Sequence, residues 1–121
     1  WEQDCLLPYP SDFFLVDDPT LPSGKRVQLT EVARPRTILG DSFDLLRAHD
    51  VDGFSRHQPI LALFPSGVAQ SSLTFHTDPP AVTADATTIL LRADTLEPVP
   101  HWAELDRFTE DPTRQVVIVR P

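Results

Sequence analysis

The fold is decided by residues 50–65, DVDGFSRHQPILALFP, where an acidic turn leads into the most apolar run of the chain. A backbone with positive φ favours glycine, so we expect Gly53 to form the corner of this turn. Pro59 sets the start of a strand over residues 60–64, and the near-continuous apolar run predicts burial on both faces of that strand. Pro65 ends it, and the turn signals that follow recur at the short intervals of a sandwich or barrel.

Three more segments in the C-terminal half have strand character. Residues 87–92 and 99–107 flank a hairpin loop at 94–97 and are expected to pair antiparallel. Residues 114–120 carry an apolar run that is expected to complete a meander, which would leave this last strand at an edge of the sheet in need of a covering segment. The pattern predicts an all-β fold, an antiparallel β-sandwich.

The N-terminal 23 residues have the proline content of an irregular but constrained arm. Phe13, Phe14 and Leu15 need a surface to cover, so the arm is expected to pack through them on one flank of the main body.

A short strand over residues 26–30 would place Val27 and Leu29 on one face. Helical spacing of apolar residues predicts one short helix after it. The chain is therefore expected to form a single domain over residues 1–121, with a packed arm at 1–23, the helix at 41–49 and the main strands at 58–121.

Composition excludes several functions. The chain has 121 residues, room for one modest core, and its 10 basic against 18 acidic residues give a net charge of −8. Such a field repels phosphate backbones, so nucleic acid is not an expected partner. No apolar run approaches the roughly 18 residues of a membrane span.

Cys5, the single cysteine, is either a plain thiol or pairs outside this chain.

Asp50 and Asp52 are the candidate metal residues. With Gly53 they resemble part of a calcium loop, although the donors that a complete loop needs further along are missing. An Asx turn, in which either carboxylate accepts backbone N–H groups, explains the same residues without a metal. His49 and His57 flank the turn and could bind zinc, or they are exposed turn residues. We assign no metal site and no cofactor.

A catalytic alternative rests on the strand over residues 99–107. Glu104 and Asp106 are two apart, so they would share a face with Trp102, and paired carboxylates can serve acid–base chemistry. His101 would join them in a small enzyme. The Gly-x-Ser-x-Gly pattern of one large hydrolase class is missing from the sequence. We assign no catalytic residue.

Five segments carry a resemblance to a known family. Together they resemble the N-terminal region of large exported bacterial proteins, among them virulence-factor-type lipases, in which a P-x-P-x-D arm and a D-G-F-S turn precede an immunoglobulin-like domain. The segments are residues 4–14 (DCLLPYPSDFF), 24–27 (GKRV), 52–55 (DGFS), 99–106 (VPHWAELD) and 118–121 (IVRP).

The resemblance implies an immunoglobulin-like sandwich at the start of a longer polypeptide that is secreted or held in the cell envelope. It implies a non-catalytic structural or interaction module whose partner is a downstream domain of the same protein. In the lipase-like relatives the serine elbow lies in that later domain, and no residue here matches it. Two alternatives stay open: the leading part of a secreted lipase or esterase, and a cation-binding adhesion domain. The oligomeric state is not predicted.

Overall fold

The computed structural model describes residues 7–43, 49–83 and 85–121, and its regular elements in these ranges are short. In these ranges all strand pairs are antiparallel and there is no helix of seven or more residues, so the all-β prediction is confirmed. The strands are β1 (Leu15–Asp17), β2 (Lys25–Val27), β3 (Ile60–Leu63), β4 (Trp102–Leu105) and β5 (Val116–Arg120), and the 3₁₀ helices are Asp12–Phe14, Glu31–Ala33 and Gln70–Ser72.

The chain divides into two compact units, Trp1–Ser55 and Arg56–Pro121. Each unit has its own sheet and its own cluster of buried apolar side chains. The prediction of a single domain stays a prediction. No helix in the described ranges is long and apolar enough to cross a membrane.

The first unit is built on the β1–β2 hairpin. Leu15 pairs with Val27 in this hairpin, and Val27 and Leu29 are both buried in the same cluster, as the alternation of apolar residues predicts. Phe14 is the largest member of the cluster and is only 2% exposed. Tyr9 packs against it with its ring centroid 6.3 Å away.

The contribution of the arm differs from the prediction at one residue. Phe14 is buried and Leu15 packs against the cluster, but Phe13 is 76% exposed. Both phenylalanines belong to the single 3₁₀ turn Asp12–Phe14, where successive side chains point about 120° apart. One turn therefore cannot bury both rings, and the prediction for Phe13 was wrong.

The acidic turn is held by backbone carbonyls. The carbonyl of Val51 accepts a hydrogen bond from the N–H of Val27 at 2.8 Å, and the carbonyl of Asp52 accepts one from the Ser23 hydroxyl at 2.8 Å. Gly53 does not have positive φ, so its predicted role at the corner was wrong. These hydrogen bonds come from residues more than twenty positions away in the sequence, and they fix the turn in a conformation that does not need glycine.

Two predictions fall wholly or largely on residues that are not described. Residues 44–48, most of the predicted helix, lie outside the described residues, and so does Cys5. Just before that gap, Ser42 forms an antiparallel bridge with Arg36, and the N–H of Phe43 donates to the carbonyl of Pro35 at 2.8 Å. Residues 42 and 43 are therefore bonded back to residues 35 and 36, which closes a loop.

The second unit contains a three-stranded sheet in the order β3-β5-β4. Val117 in β5 lies opposite Ala62 in β3 on one side and Leu105 in β4 on the other. The last strand therefore lies at the centre of the sheet, and the expectation that it forms an uncovered edge was wrong. All four residues of β3 are only half-buried, so the prediction that both faces of this strand are buried was wrong. In the sheet β3 is an edge strand, paired with β5 alone.

The predicted strand at 87–92 is not formed. Its place is taken by turns and one isolated bridge between Leu91 and Pro98. The strand predicted at 99–107 is shorter, at Trp102–Leu105, and a 3₁₀ turn forms at Gln70–Ser72.

Gly67 provides a test of where glycine is required. Its φ is +73°, and a Cβ there would lie 3.3 Å from the carbonyl oxygen of Pro112, whereas Gly53 has no atom within 4 Å of such a Cβ. We expect Gly67→Ala to lower the free energy of unfolding by about 1–3 kcal/mol, and Gly53→Ala to change it by less than about 0.5 kcal/mol. Urea denaturation measures both. Equal effects of the two substitutions would contradict this account.

Candidate functional site

His101 is the buried polar residue around which the site is built. It lies directly before β4 and is 2% exposed. Its Nδ1 is 2.8 Å from the carbonyl oxygen of Val99, and its Nε2 is 3.0 Å from the hydroxyl and 3.1 Å from the carbonyl oxygen of Thr88. Both ring nitrogens are therefore engaged within the protein, which satisfies the rule that a buried polar group needs partners.

A cavity of about 260 Å³ lies beside this ring. Besides His101, the lining of the cavity includes Ala81, Thr83 and Pro98. Leu96 on its rim is 69% exposed, so the cavity opens to solvent on that side. The walls are otherwise aliphatic and come from Val82, Ile89, Leu90, Leu91, Leu96 and Val99.

The wall is a hairpin loop that backbone hydrogen bonds close. The N–H of Arg92 donates to the carbonyl of Glu97 at 3.0 Å, and the N–H of Leu96 donates to the carbonyl of Arg92 at 2.9 Å. Leu96 has φ of 58°, which is uncommon for a residue with a Cβ. This turn directs an apolar side chain to the rim at the point where hairpin loops usually carry glycine or asparagine.

The loop is tied to β4 at its other end. The N–H of Val99 donates to the carbonyl of Leu90 at 2.8 Å, and the N–H of Ala81 donates to the carbonyl of His101 at 2.8 Å. The ring of His101 reaches Thr88 across the same space. Two backbone hydrogen bonds and the contact of His101 with Thr88 therefore hold the cavity walls together without a continuous strand ladder.

The residues of the catalytic alternative do not converge. Burial alternates along β4, so His101 lies with the buried Ala103 on one face, and Glu104 lies with Trp102 on the other. Asp106 comes after the strand ends. The prediction that Trp102 and Glu104 share a face agrees with this alternation, but His101 is not on that face.

Glu104 and Trp102 have structural partners. A carboxylate oxygen of Glu104 is 2.7 Å from Nη2 of Arg120, which lies on the adjacent strand β5. The indole N–H of Trp102 donates to the carbonyl of Asp78 at 2.9 Å. Both contacts tie the exposed face of β4 to adjacent segments.

The candidate calcium residues are separated by their contacts. The carboxylate of Asp50 pairs with the guanidinium of Arg26, and Asp52 accepts a hydrogen bond from the hydroxyl of Ser23 through its backbone carbonyl. The Asx turn at this corner stays a prediction. A guanidinium beside Asp50 opposes a second cation there. Within the described ranges no group of three or more His, Cys, Asp or Glu side chains could hold a metal ion.

The candidate zinc residues belong to different units. His49 is exposed in the first unit and His57 is exposed in the second.

A second apolar feature, in the first unit, is an exposed turn at residues 36–42. Ile38 is 102% and Leu39 is 86% exposed. The turn is closed by the N–H of Thr37 donating to the carbonyl of Asp41 at 2.9 Å and by the N–H of Gly40 donating to the carbonyl of Thr37 at 2.9 Å. We call residues 36–42 the apolar turn.

Neither apolar feature was predicted from the sequence. Residues 87–92 carry an apolar run that predicts a strand, and only the structure shows that these side chains form a cavity wall. The pair Ile38-Leu39 lies directly before Gly40, and the glycine is the signal in the sequence that indicates an exposed turn there.

No protein-family model matches the chain, and comparison with curated proteins and with solved structures finds no match. The resemblance to the N-terminal region of exported lipases therefore stays a prediction.

Replacing His101 tests its structural role. His101→Ala would leave a void and would remove the ring nitrogens that bond to Val99 and Thr88, so we expect it to lower the free energy of unfolding by about 2–4 kcal/mol. Glu104→Ala on the opposite face removes only a surface ion pair and should cost less than about 1 kcal/mol. Urea denaturation followed by tryptophan fluorescence compares the two. A stability of His101→Ala equal to that of the unmodified chain would show that the ring does not hold the loop to β4.

Asp106 gives a prediction about pH. The hydroxyl of Thr109, followed by the N–H of Phe108, lowers the pKa of the Asp106 carboxyl in the folded chain. A carboxyl with a lowered folded pKa contributes stability above its unfolded pKa of about 3.9 and loses that contribution as the pH falls through the folded pKa.

We therefore expect the free energy of unfolding to fall as the pH drops below about 4, and to fall less steeply in Asp106→Asn. Thr109→Val removes the hydroxyl and should flatten the same region of the curve. Urea titrations between pH 2 and pH 6 measure the slopes. Identical slopes in the unmodified chain and both variants would contradict the assignment.

Proposed function

We propose that this chain is a non-catalytic interaction module of an exported bacterial protein, and that it packs on a downstream domain of the same polypeptide. The apolar turn is the observation that supports this proposal. Ile38 and Leu39 place two large aliphatic side chains side by side in water. Single exposed apolar residues are common, but an adjacent pair on an ordered turn favours a contact surface.

The hydrogen bonds of the turn support the same function. The Thr37 side chain accepts from the N–H of Leu39 at 3.3 Å and from the N–H of Asp41 at 3.2 Å, and Arg36 donates to the carbonyl of Gly40 at 3.1 Å. A turn that is held in one conformation loses little entropy when it binds, so its apolar tip is suited to docking.

The contacts of His101 favour a structural role over catalysis. A general base needs a ring nitrogen that can reach the proton it abstracts. Here Nδ1 faces the carbonyl of Val99 and Nε2 faces Thr88, so the ring serves to hold the loop.

The proposal includes a fold and a location. Short antiparallel strands and the alternating burial along β4 are compatible with an immunoglobulin-like sandwich, which we propose as the architecture of the module. The segment resemblance to exported proteins supports a position in the cell envelope or outside the cell.

The test compares this chain with the polypeptide encoded by its complete reading frame. The chain has four isoleucines, and Ile38 alone among them lies on the apolar turn. With isoleucine methyl groups labelled for NMR, we expect the Ile38 resonance to shift between the isolated chain and the complete polypeptide, because a docked tip leaves water. The double variant Ile38→Ser, Leu39→Ser should weaken the docking without lowering the stability of the isolated chain.

Phe108→Ser is the matched control, because Phe108 is 98% exposed in the other unit. It should leave docking unchanged. A reading frame that ends at Pro121, or an Ile38 resonance that is the same in both proteins, would refute the proposal of a downstream partner.

A further inference from the structure

We infer that the cavity beside His101 is a binding site for a small, neutral aliphatic molecule or for the aliphatic tail of one. This inference goes beyond the proposed docking function, since it concerns a different feature in the other unit. Every described residue that lines the cavity belongs to residues 81–101, within the second unit.

The volume of the cavity sets the size of the ligand. It measures about 260 Å³. An apolar cavity of about 150 Å³ accommodates benzene, so in proportion this one holds about ten non-hydrogen atoms. A straight chain of about nine carbons with one terminal oxygen has that size.

The lining sets the chemistry of the ligand. Among the described residues that form it there is no Lys, Arg, Asp, Glu or aromatic ring other than the imidazole. An ionised group placed inside the cavity would lose its hydration without gaining a counter-charge, which costs several kcal/mol. An aromatic ligand would find no ring to stack on, whereas aliphatic chains need only the dispersion contacts that Ile89, Leu91 and Val99 can supply.

The polar floor of the cavity also argues for a neutral ligand. Both nitrogens of His101 already face oxygens of Val99 and Thr88. No ring donor is left over for a carboxylate. A ligand hydroxyl can instead remain at the solvent-exposed mouth, next to the 69% exposed Leu96, while the chain fills the interior.

The open mouth makes the site accessible. Val82, Ile89 and Leu91 are each about half exposed although they line the cavity. Covering these side chains with a ligand removes apolar surface from water, which is favourable in proportion to the area covered. The site therefore needs no opening motion before a ligand enters.

The test is a titration of the 121-residue chain with the 1-alkanols from butanol to decanol, followed by NMR of labelled isoleucine methyl groups. Ile89 lies in the cavity wall and Ile38 is fully exposed outside it, so one spectrum contains the site and its control. We expect a saturable shift at Ile89 and none at Ile38. The dissociation constant should fall about fourfold for each added CH₂ until the cavity is filled near nine carbons, and then level off.

Octanoate tests the requirement for a neutral ligand. We expect it to bind at least tenfold more weakly than 1-octanol at pH 7, since a carboxylate at the mouth meets a chain with a net charge of −8 and has no cationic partner in the described lining. Octanoate binding as tight as octanol binding would overturn the assignment of a neutral ligand.

Two charge-matched variants test the location. Leu91→Asp places a carboxylate in the wall at a half-exposed position, and Phe108→Asp adds the same charge at a fully exposed one. Leu91→Asp should weaken 1-octanol binding at least tenfold, and Phe108→Asp should leave it unchanged. The methyl groups of Ile60 and Ile118, in β3 and β5, report whether each variant keeps its sheet. If Leu91→Asp disturbs them, Val82→Asp replaces it.

Three results would overturn the inference. The first is a chemical shift change of the Ile89 methyl group that grows linearly with the alcohol concentration and is equally large at Ile38, which indicates non-specific association. The second is affinity that keeps rising beyond nine carbons and does not respond to Leu91→Asp. The third is an Ile89 resonance that ignores every alcohol but shifts in the complete polypeptide, which would show that a protein segment fills the cavity. None of these results bears on docking at the apolar turn, which Ile38 reports separately.

Discussion

The second unit depends on the pairing of β5 with a strand on each side. Val117, only 3% exposed, lies between Ala62 and Leu105, so one side chain is packed at the centre of the sheet. The β4 edge is then closed by local segments. The N–H of Ala103 donates to the carbonyl of Thr74 at 2.8 Å, and the N–H of Leu105 donates to the side-chain oxygen of Gln70 at 3.0 Å. A covered edge offers fewer free groups for further pairing on that side.

The outward bonds of β4 explain why the cavity can exist. The short sheet holds β4 in place, and His101 lies directly before the first residue of β4. The ring of His101 contacts Thr88 and Val99, and these two contacts position the loop over residues 88–99 beside the strand. If residues 87–92 formed a regular strand, every second side chain would turn away from the space that the wall now encloses. The loop keeps Ile89, Leu90 and Leu91 together on the cavity instead.

The sequence predicts best where one pattern determines the outcome. The apolar runs at residues 60–64 and 114–120 become β3 and β5 with small changes at the ends, because β-branched and aliphatic runs between prolines have few alternatives. Their order in the sheet depends on long-range pairing, which sequence order does not specify, so the central position of β5 was missed. Gly53 was misjudged for a related reason: its turn is fixed by bonds from residues 23 and 27, far away in sequence.

The site shows the same limit at the level of single side chains. Parity along β4 already separates residue 101 from residue 104, so the sequence contained the signal that His101 and Glu104 face opposite ways. The contact of His101 with Thr88 could not be predicted from the sequence, because Thr88 is thirteen residues away and the fold of the loop brings it to the ring. A buried histidine with both nitrogens bonded acts as a cross-link between a strand and a loop. The chemistry that remains at this site is then that of the aliphatic side chains around the ring, which bind by shape and burial.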